Sequence, residues 1–354
     1  MYDLIVMADT HIKDNESIGG IDEIGRSKRT VDKINYLNTA ITYAVDNKVD
    51  AIIIAGDLYD NNSPSNRLRS VVSKIFYKAL KNNIKIYIIG GNHDTNDSIS
   101  YNMMSECIYN DNLIFAKNTT INTNEDIQLK LLSWGQEDVL DKIKPLTSTI
   151  LFGHLQIEGA SYDNERLAKG FISPVALSQF TAVFCGHFHK RQKKGNYRYI
   201  GALCRNNFGE RNNPCGFLRL CLDKGSIKEE YIVIDDRRFI QYEADILEEA
   251  DIYKEIDSFD LKDNIVKVLF NIPPDLTLHK RKIKEYAKEK NPFEVLIEYE
   301  RANEKINVSI EKNLGYVETF NKYNSLHTIP KHCILIGEDI LKEVFEKGEL
   351  KSIN

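Results

Sequence analysis

Five of the eight histidines stand where side chains could gather around a metal ion. Each follows an apolar run that reads as a strand, and each has Gly, Asp or Asn beside it. The run at 3–8 leads into Asp9-Thr-His11, the run at 51–55 into Gly56-Asp57, and the run at 84–89 into Gly91-Asn92-His93-Asp94. Later runs end in Gly153-His154 and Gly186-His187-Phe188-His189. Carboxyl ends of strands in open α/β sheets are where ligands bind. A lone histidine is more often a core residue bonded to a carbonyl, and a single Asp-x-His is weak. Five such strand ends in one chain would need five coincidences at the same topological position. Asp, Asn and His without a thiolate suit a hard or borderline divalent ion such as Mn²⁺ better than a closed zinc site. The candidates exceed one ion's needs, which points to two ions sharing a bridging carboxylate. His279, His327 and His332 lack this context.

The elements that must position these groups alternate over the first 90 residues. Strands at 3–8, 51–55 and 84–89 enclose a helix carrying Val31, Ile34, Leu37, Ala40, Ile41, Ala44 and Val45. A second helix, signalled by Ser63-Pro64, buries Leu68, Val71, Val72, Ile75, Phe76, Ala79 and Leu80. This β-α-β-α-β order predicts parallel pairing with right-handed crossovers. Beyond residue 110 strands are expected at 113–116, 127–134, 149–152, 182–185, 198–200, 216–222 and 230–234. Few long helices separate them, so a second, mixed sheet is expected. After Asp235-Asp236-Arg237-Arg238 the pattern changes to a small α/β unit. It has strands at 239–244, 265–272 and 293–299, with helices near 247–257 and 276–290. The last stretch is polar, with one amphipathic helix expected at 337–346.

Composition narrows the class. With 354 residues, 42% hydrophobic and 28% charged, the chain is ordinary globular protein of about two domains, and it can bury a core without covalent staples. The formal charge of −5 announces no nucleic-acid binder. Locally, however, Lys190, Arg191, Lys193, Lys194, Arg198, Arg205 and Arg211 face one acid, Glu210, which predicts a phosphate-facing patch or a solvated loop. The six cysteines form no Cys-x-x-Cys pair and read as core residues of a reduced, cytoplasmic protein. No signal peptide and no membrane span is expected.

Taken together, Asp-x-His, Gly-Asp-x-x-Asp, Gly-Asn-His-Asp, Gly-His and Gly-His-x-His resemble the calcineurin-like metallophosphoesterase superfamily. Within it, residues 49–64 and 89–94, Gly153–Ala160, Tyr199–Gly201 and Asn207–Glu210 are similar to the SbcD-type nucleases of bacteria and phages. The resemblance implies a two-sheet α/β sandwich over residues 1–235, a small α/β capping domain at 239–300 and a C-terminal helical tail at 301–354 that binds an ATPase partner. It gives Asp9, His11, Asp57 and His189 to one ion and Asn92, His154 and His187 to the other, with Asp57 bridging. His93 would be the general acid and Asp60 the residue that orients it; Asp94 is ambiguous between the site and a helix cap.

The implied activity is Mn²⁺-dependent cleavage at DNA ends, in repair, recombination or replication, with an SbcC-like ABC-type ATPase and with a homodimer among the expected assemblies. Lys190, Arg191, Lys193, Lys194 and Arg205 would contact DNA. A basic helix carrying Lys280, Arg281, Lys282, Lys284, Lys288 and Lys290 would either bind duplex or face solvent. Two departures stand out. Relatives from archaea and eukaryotes carry histidine where this chain has Asp60, and the usual Gly-Ser-Pro is here Gly201-Ala202-Leu203. Asn61 and Asp94 replace the Arg and Glu of the protein phosphatase signature. The alternatives are a phosphodiesterase for cyclic nucleotides or other small phosphoesters, and a catalytically inactive scaffold.

Overall fold

A computed structural model describes residues 1–93, 110–123, 127–143, 148–224, 226–301, 320, 334–337 and 339. Two compact units are present: residues 1–271 with 277–299, and residues 272–276 with 300–354. In the second unit, residues 334–337 and 339 are helical. Most of the helix expected at 337–346, together with Asp94, lies outside the described residues.

The first unit is built on two six-stranded sheets. The first contains β1 (Tyr2–Met7), β2 (Ala51–Ala55), β3 (Lys85–Ile89) and β4 (Leu113–Ala116), all parallel. It is extended by antiparallel β11 (Gly216–Asp223) and β12 (Ser226–Val233), in the order β12-β11-β1-β2-β3-β4. The second is mixed. It runs β5 (Asn118–Asn122), β6 (Ile127–Leu132), β7 (Ser148–His154), β8 (Ala182–Gly186), β10 (Tyr197–Tyr199) and β9 (Gln192–Lys194).

Helices α1 (Lys28–Asp46) and α2 (Asn66–Leu80) cover the outer face of the first sheet. The period-2 alternation of a strand sorts its side chains between layers. Ile52 and Ile54 of β2 pack under the helices, while Ala51, Ile53 and Ala55 face the second sheet. Ile150 and Phe152 of β7 meet them there, and Leu151 points to a third cluster on the far side. Both faces of these strands are covered, which is why they read as continuous apolar runs.

A three-stranded sheet, in the order β13 (Phe239–Asp245), β14 (Ile265–Ile272), β15 (Glu294–Arg301), carries α3 (Glu249–Ser258) and α4 (Lys280–Glu289). Within the first unit it is tied to the sandwich by Arg237. That side chain donates to Asp32 at 2.7 Å and lies 3.6 Å over the Phe293 ring.

Three local expectations are corrected. Helix α2 starts later than Ser63-Pro64 implied. Asn61 captures the Ser63 amide at 2.9 Å, and Ser65 is the cap, its hydroxyl accepting from the Leu68 amide at 3.1 Å. Helix α4 begins at Lys280 rather than 276. Strands β5 and β9 are polar edges without the apolar alternation that would announce them. Cys185, Cys204 and Cys215 are buried and free, and among the described residues no helix is long and apolar enough to cross a membrane.

The two sheets meet closely at glycines. Gly56, with φ of +93°, leaves so little room that an added Cβ would lie 2.1 Å from Nδ1 of His154. Gly56→Ala is expected to cost about 2–4 kcal/mol through left-handed backbone and overpacking together. Urea unfolding should show a lower midpoint with an unchanged slope. A wild-type midpoint would show that the His154 ring moves aside freely.

Candidate metal centre

The strand ends turn sharply at the residues that carry the chemistry. Asp9 (φ 52°), His11 (φ 49°), Asp57 (φ 50°) and His187 (φ 99°) all occupy left-handed backbone. Asp and His are among the few types enriched there. Each such residue still costs on the order of 1–3 kcal/mol and persists only where its surroundings over-determine it. Here they do. The Asp9 amide donates to Gly56 O at 3.1 Å, the His11 amide to Asp57 O at 3.0 Å and the Ile12 amide to Leu58 O at 3.0 Å. The His187 amide donates to both oxygens of the Asp9 carboxylate at 3.0 and 3.1 Å, and the His93 amide to Oδ1 of Asp57 at 2.9 Å.

These turns bring all seven expected ligands into one site. Asp9, His11, Asp57 and His154 are buried, His187 and His189 half-buried, Asn92 and His93 exposed. Asp9 with His11 and His189, Asp9 with Asp57 and His154, and His11 with Asp57 and His93 form three overlapping groups. Within each, one ligand atom per residue lies within 4.8 Å of the others. Oδ2 of Asp57 is 3.5 Å from Nε2 of His11 and 3.4 Å from Nε2 of His154, between two donor sets. Oδ1 of Asn92 is 2.9 Å from both Nε2 of His154 and Nδ1 of His187.

The imidazoles are held by their outer nitrogens. Nδ1 of His154 donates to Ala55 O at 3.0 Å, Nδ1 of His189 faces Glu210 Oε1 at 2.8 Å, and Nδ1 of His11 faces Asp60 Oδ1 at 3.2 Å. The inner nitrogens therefore converge: Nε2 of His11 and Nε2 of His189 are 3.0 Å apart. Two nitrogens held at right angles by one ion at about 2.0–2.1 Å would sit about 3 Å apart. The donor set thus fits divalent cations, and the second-layer acceptors are those that metal-binding histidines use. His187 is fixed by rings instead, with Trp134 tilted against it at 5.0 Å and Phe188 edge-on at 5.0 Å.

Charge is arranged to match. Burial pushes the Asp9 carboxyl up, against the attraction of His154 and His189. Burial would raise Asp57 too, but His154 and His11 hold its carboxyl well below the usual range. Burial works against a charged His154, yet Asp57 and Asp9 carry its pKa up to about 9. His189 likewise rises to about 9, burial being outweighed by Glu210 and Asp9. Burial and the neighbouring His154 push His187 down to about 3.

Other expected site residues are placed differently. The Asp60 carboxylate meets His11 and, at 3.0 Å, Lys13; it is the Asp60 backbone carbonyl that accepts from Nδ1 of His93, at 3.2 Å. Lys190 pairs with Glu165, and Arg191 lies 4.4 Å over the Tyr231 ring. Arg205 is bound to the buried carboxylate of Asp236 and to the Arg211 carbonyl, so it braces its loop. Lys193 and Lys194 are exposed on β9. Two residues that sequence reasoning passed over touch the centre. Trp134 was expected to end a strand, and Glu210 stood as the lone acid of a basic run and the last residue of the Asn207–Glu210 segment, with no role at the centre. Position in the chain gave no sign of Trp134. The only signal for Glu210 was its place in the Asn207–Glu210 segment.

In the metal-free chain His154 and His189 hold protons below about pH 9. An ion needs their bare nitrogens, so binding must expel those protons. Mn²⁺ affinity is expected to rise steeply from pH 7 to pH 9. Calorimetry in two buffers of different ionisation enthalpy should register the released protons. A pH-independent affinity without proton release would contradict this geometry.

The chain resembles known proteins over part of its length. A sequence profile described as calcineurin-like phosphoesterase matches residues 2–191. The chain is 26% identical over 221 residues to the SbcD subunit of the nuclease SbcCD of Staphylococcus epidermidis, covering 52% of this chain and 58% of that relative. It therefore spans less than two thirds of the relative's length. A crystal structure of a dimetal phosphatase from Danio rerio aligns with a TM-score of 0.43 at 11% identity, covering 66% of this chain and 98% of that one. The profile takes in more than half of the 354 residues, and the chain belongs to the calcineurin-like phosphoesterase family.

Proposed function

We propose that the chain is a dinuclear-metal phosphodiesterase that cleaves DNA at its ends, with Mn²⁺ as the working ion and an SbcC-like ATPase as its partner. The observation that carries this reading is the position of the Asp57 carboxylate, one oxygen of which lies between His11 and His154. Asp9, His11, Asp57 and His189 would hold one ion, and Asp57, Asn92, His154 and His187 the other. Once bound, the ions would supply the nucleophile at neutral pH and neutralise the phosphodiester oxygens. Two Asp carboxylates, four imidazoles and an amide with no thiolate favour Mn²⁺ over a closed zinc site.

His93 is exposed at the rim, its ring edge-on to His11 with centroids 4.7 Å apart. A carbonyl can only accept, so Nδ1–H of His93 points at Asp60 O and Nε2 faces away. In the protonated ring, Nε2–H is the proton His93 would deliver to the leaving 3′-oxygen. Asp60 contributes twice, its carbonyl aiming His93 and its carboxylate aiming His11. The DNA assignment draws on the nuclease named among the relatives and on Lys193 and Lys194, which would meet backbone phosphates. Residues 239–300 would act as a cap over the substrate, with α4 facing duplex, and residues 301–354 would engage the ATPase.

The test is to incubate the chain with Mn²⁺ and labelled linear duplex, beside bis-p-nitrophenyl phosphate. Cleavage of both supports the nuclease. Cleavage of the dye ester alone marks a phosphodiesterase for small esters, and cleavage of neither marks a scaffold. His93→Gln is expected to keep its Mn²⁺ while losing ~10²–10⁴-fold in duplex cleavage. Metal analysis decides it, because loss of metal in proportion to activity would make His93 a ligand. Lys193→Ala with Lys194→Ala should weaken DNA binding whatever its sequence and lower the salt slope by about 0.9 for each phosphate no longer neutralised. Dye-ester turnover should stay at the wild-type rate. Unchanged affinity and slope would remove β9 from the DNA path.

A further inference from the structure

Glu210 is a carboxylate beside the metal centre with no solvent exposure at all, on a short 3-10 turn (Phe208–Glu210). Its oxygens take three donors. Oε1 accepts from Nδ1 of His189 at 2.8 Å and from the Asn207 side-chain amide at 2.6 Å, and Oε2 accepts from the Asn206 backbone amide at 2.8 Å. Asn207 caps the same turn through the Gly209 amide at 2.8 Å. The turn is fixed at the same end by the Phe208 ring, which meets Phe239 edge-on with centroids 5.1 Å apart. A buried charge this well satisfied is costly to disturb, and its one link to the centre is His189.

We propose that Glu210 is a positioning residue for the metal centre: it fixes the tautomer and ring angle of His189, so that Nε2 presents its lone pair beside Nε2 of His11. This rests on the proposed reading of the site as a metal centre. A carboxylate accepts at both oxygens and therefore commits Nδ1 of His189 to carrying the hydrogen. The isosteric amide of glutamine cannot do the same. With its oxygen toward His189, its NH₂ faces the Asn206 N–H; turned over, its NH₂ faces both His189 Nδ1–H and the Asn207 amide. Either orientation sets two donors against each other: relief in the first shifts Asn206 and the side chain that holds His189, and relief in the second turns or re-protonates His189. Glu210 touches no reacting atom, and its whole effect passes through one imidazole.

The experiment is a double-mutant cycle on Mn²⁺ binding, followed by calorimetry and by electron paramagnetic resonance, with thermal unfolding of each metal-free variant as the control. Wild type is expected to bind two ions. Glu210→Gln should weaken one of them ~10–100-fold, the usual cost of losing an outer partner of a ligand histidine. The other ion should bind as in wild type. His189→Ala should weaken the same ion, and adding Glu210→Gln to it should change nothing further, because the path runs through the ring already removed. A merely structural role would instead lower the unfolding temperature and add its effect to that of His189→Ala. Should Glu210→Gln not fold, Asn207→Ala, which removes one donor and leaves the carboxylate, should give a smaller loss on the same ion. Equal weakening of both ions, additivity in the cycle, or wild-type binding by a folded Glu210→Gln chain would overturn the role given to Glu210. A wild-type chain that takes up no Mn²⁺ would instead overturn the metal-centre reading itself, and this role with it.

Discussion

The whole site depends on four residues holding left-handed backbone at the ends of parallel strands. Asp9, His11, Asp57 and His187 each turn the chain so that a side chain which would have continued along the sheet edge points into one shared space. Such conformations are unfavourable locally, and no single loop could keep them. They persist because each turn is hydrogen-bonded to another. The loop after β1 is laid on the loop after β2 by four backbone bonds, and the loop after β8 is anchored on the Asp9 carboxylate. The apolar layers between the sheets stabilise this arrangement at a distance. Their burial fixes the register of β1 on β2 and of β7 on β8, and register decides which residue reaches the rim.

Once the strand ends converge, electrostatics does the rest. Two buried carboxylates and several imidazoles in one pocket would repel or neutralise one another unless each had a defined partner. The outer nitrogens of three rings are committed to a carbonyl or a carboxylate, so each ring has one orientation and one inner nitrogen. The same division separates Asp9, pushed up by burial, from Asp57, held down by His154 and His11. A cation in this pocket would take the place of protons on His154 and His189, whose affinity for them is raised by Asp57, Asp9 and Glu210.

The parts legible in the sequence were those that follow from short-range rules. Apolar runs closed by Gly, Asp and His located β1, β2, β3, β7 and β8 to within a residue or two, because buried strands and tight turns use few residue types. Strand-end histidines located the side chains that converge there for the same reason. The parts that were not legible depend on who meets whom across the fold. A run of basic residues shows composition but not pairing, so it could not reveal that Arg205 would be locked to Asp236 or Lys190 to Glu165. Asp60 lay close to the expected position, but whether its carboxylate or its carbonyl reaches His93 depends on a loop conformation that spacing does not encode. Trp134 and Glu210 come from elements remote in sequence from the histidines they touch. The polar strands β5 and β9 borrow their conformation from the neighbours they pair with, and nothing in Asn118–Asn122 or Gln192–Lys194 demands it.

That pairing also bears on how the chain would distinguish a polymer from a small ester. Charges separated by more than about 8 Å are largely screened at physiological salt, so the formal charge of −5 has little say at the rim. What counts is cations within reach of the metals that are not already answered by the protein's own groups. The structure pairs Arg205 with Asp236, and it occupies Lys190 and Arg191 with Glu165 and Tyr231. On α4, Lys280 lies over Tyr299, Arg281 pairs with Glu285, and Lys282, Lys284 and Lys288 are exposed; Lys290, just past its end, pairs with Asp257. A tally of basic residues therefore overstates the positive field that a substrate would meet. The groups that could serve phosphoester chemistry are gathered in one centre, whereas Lys193 and Lys194 stand exposed on β9, an edge strand of the second sheet.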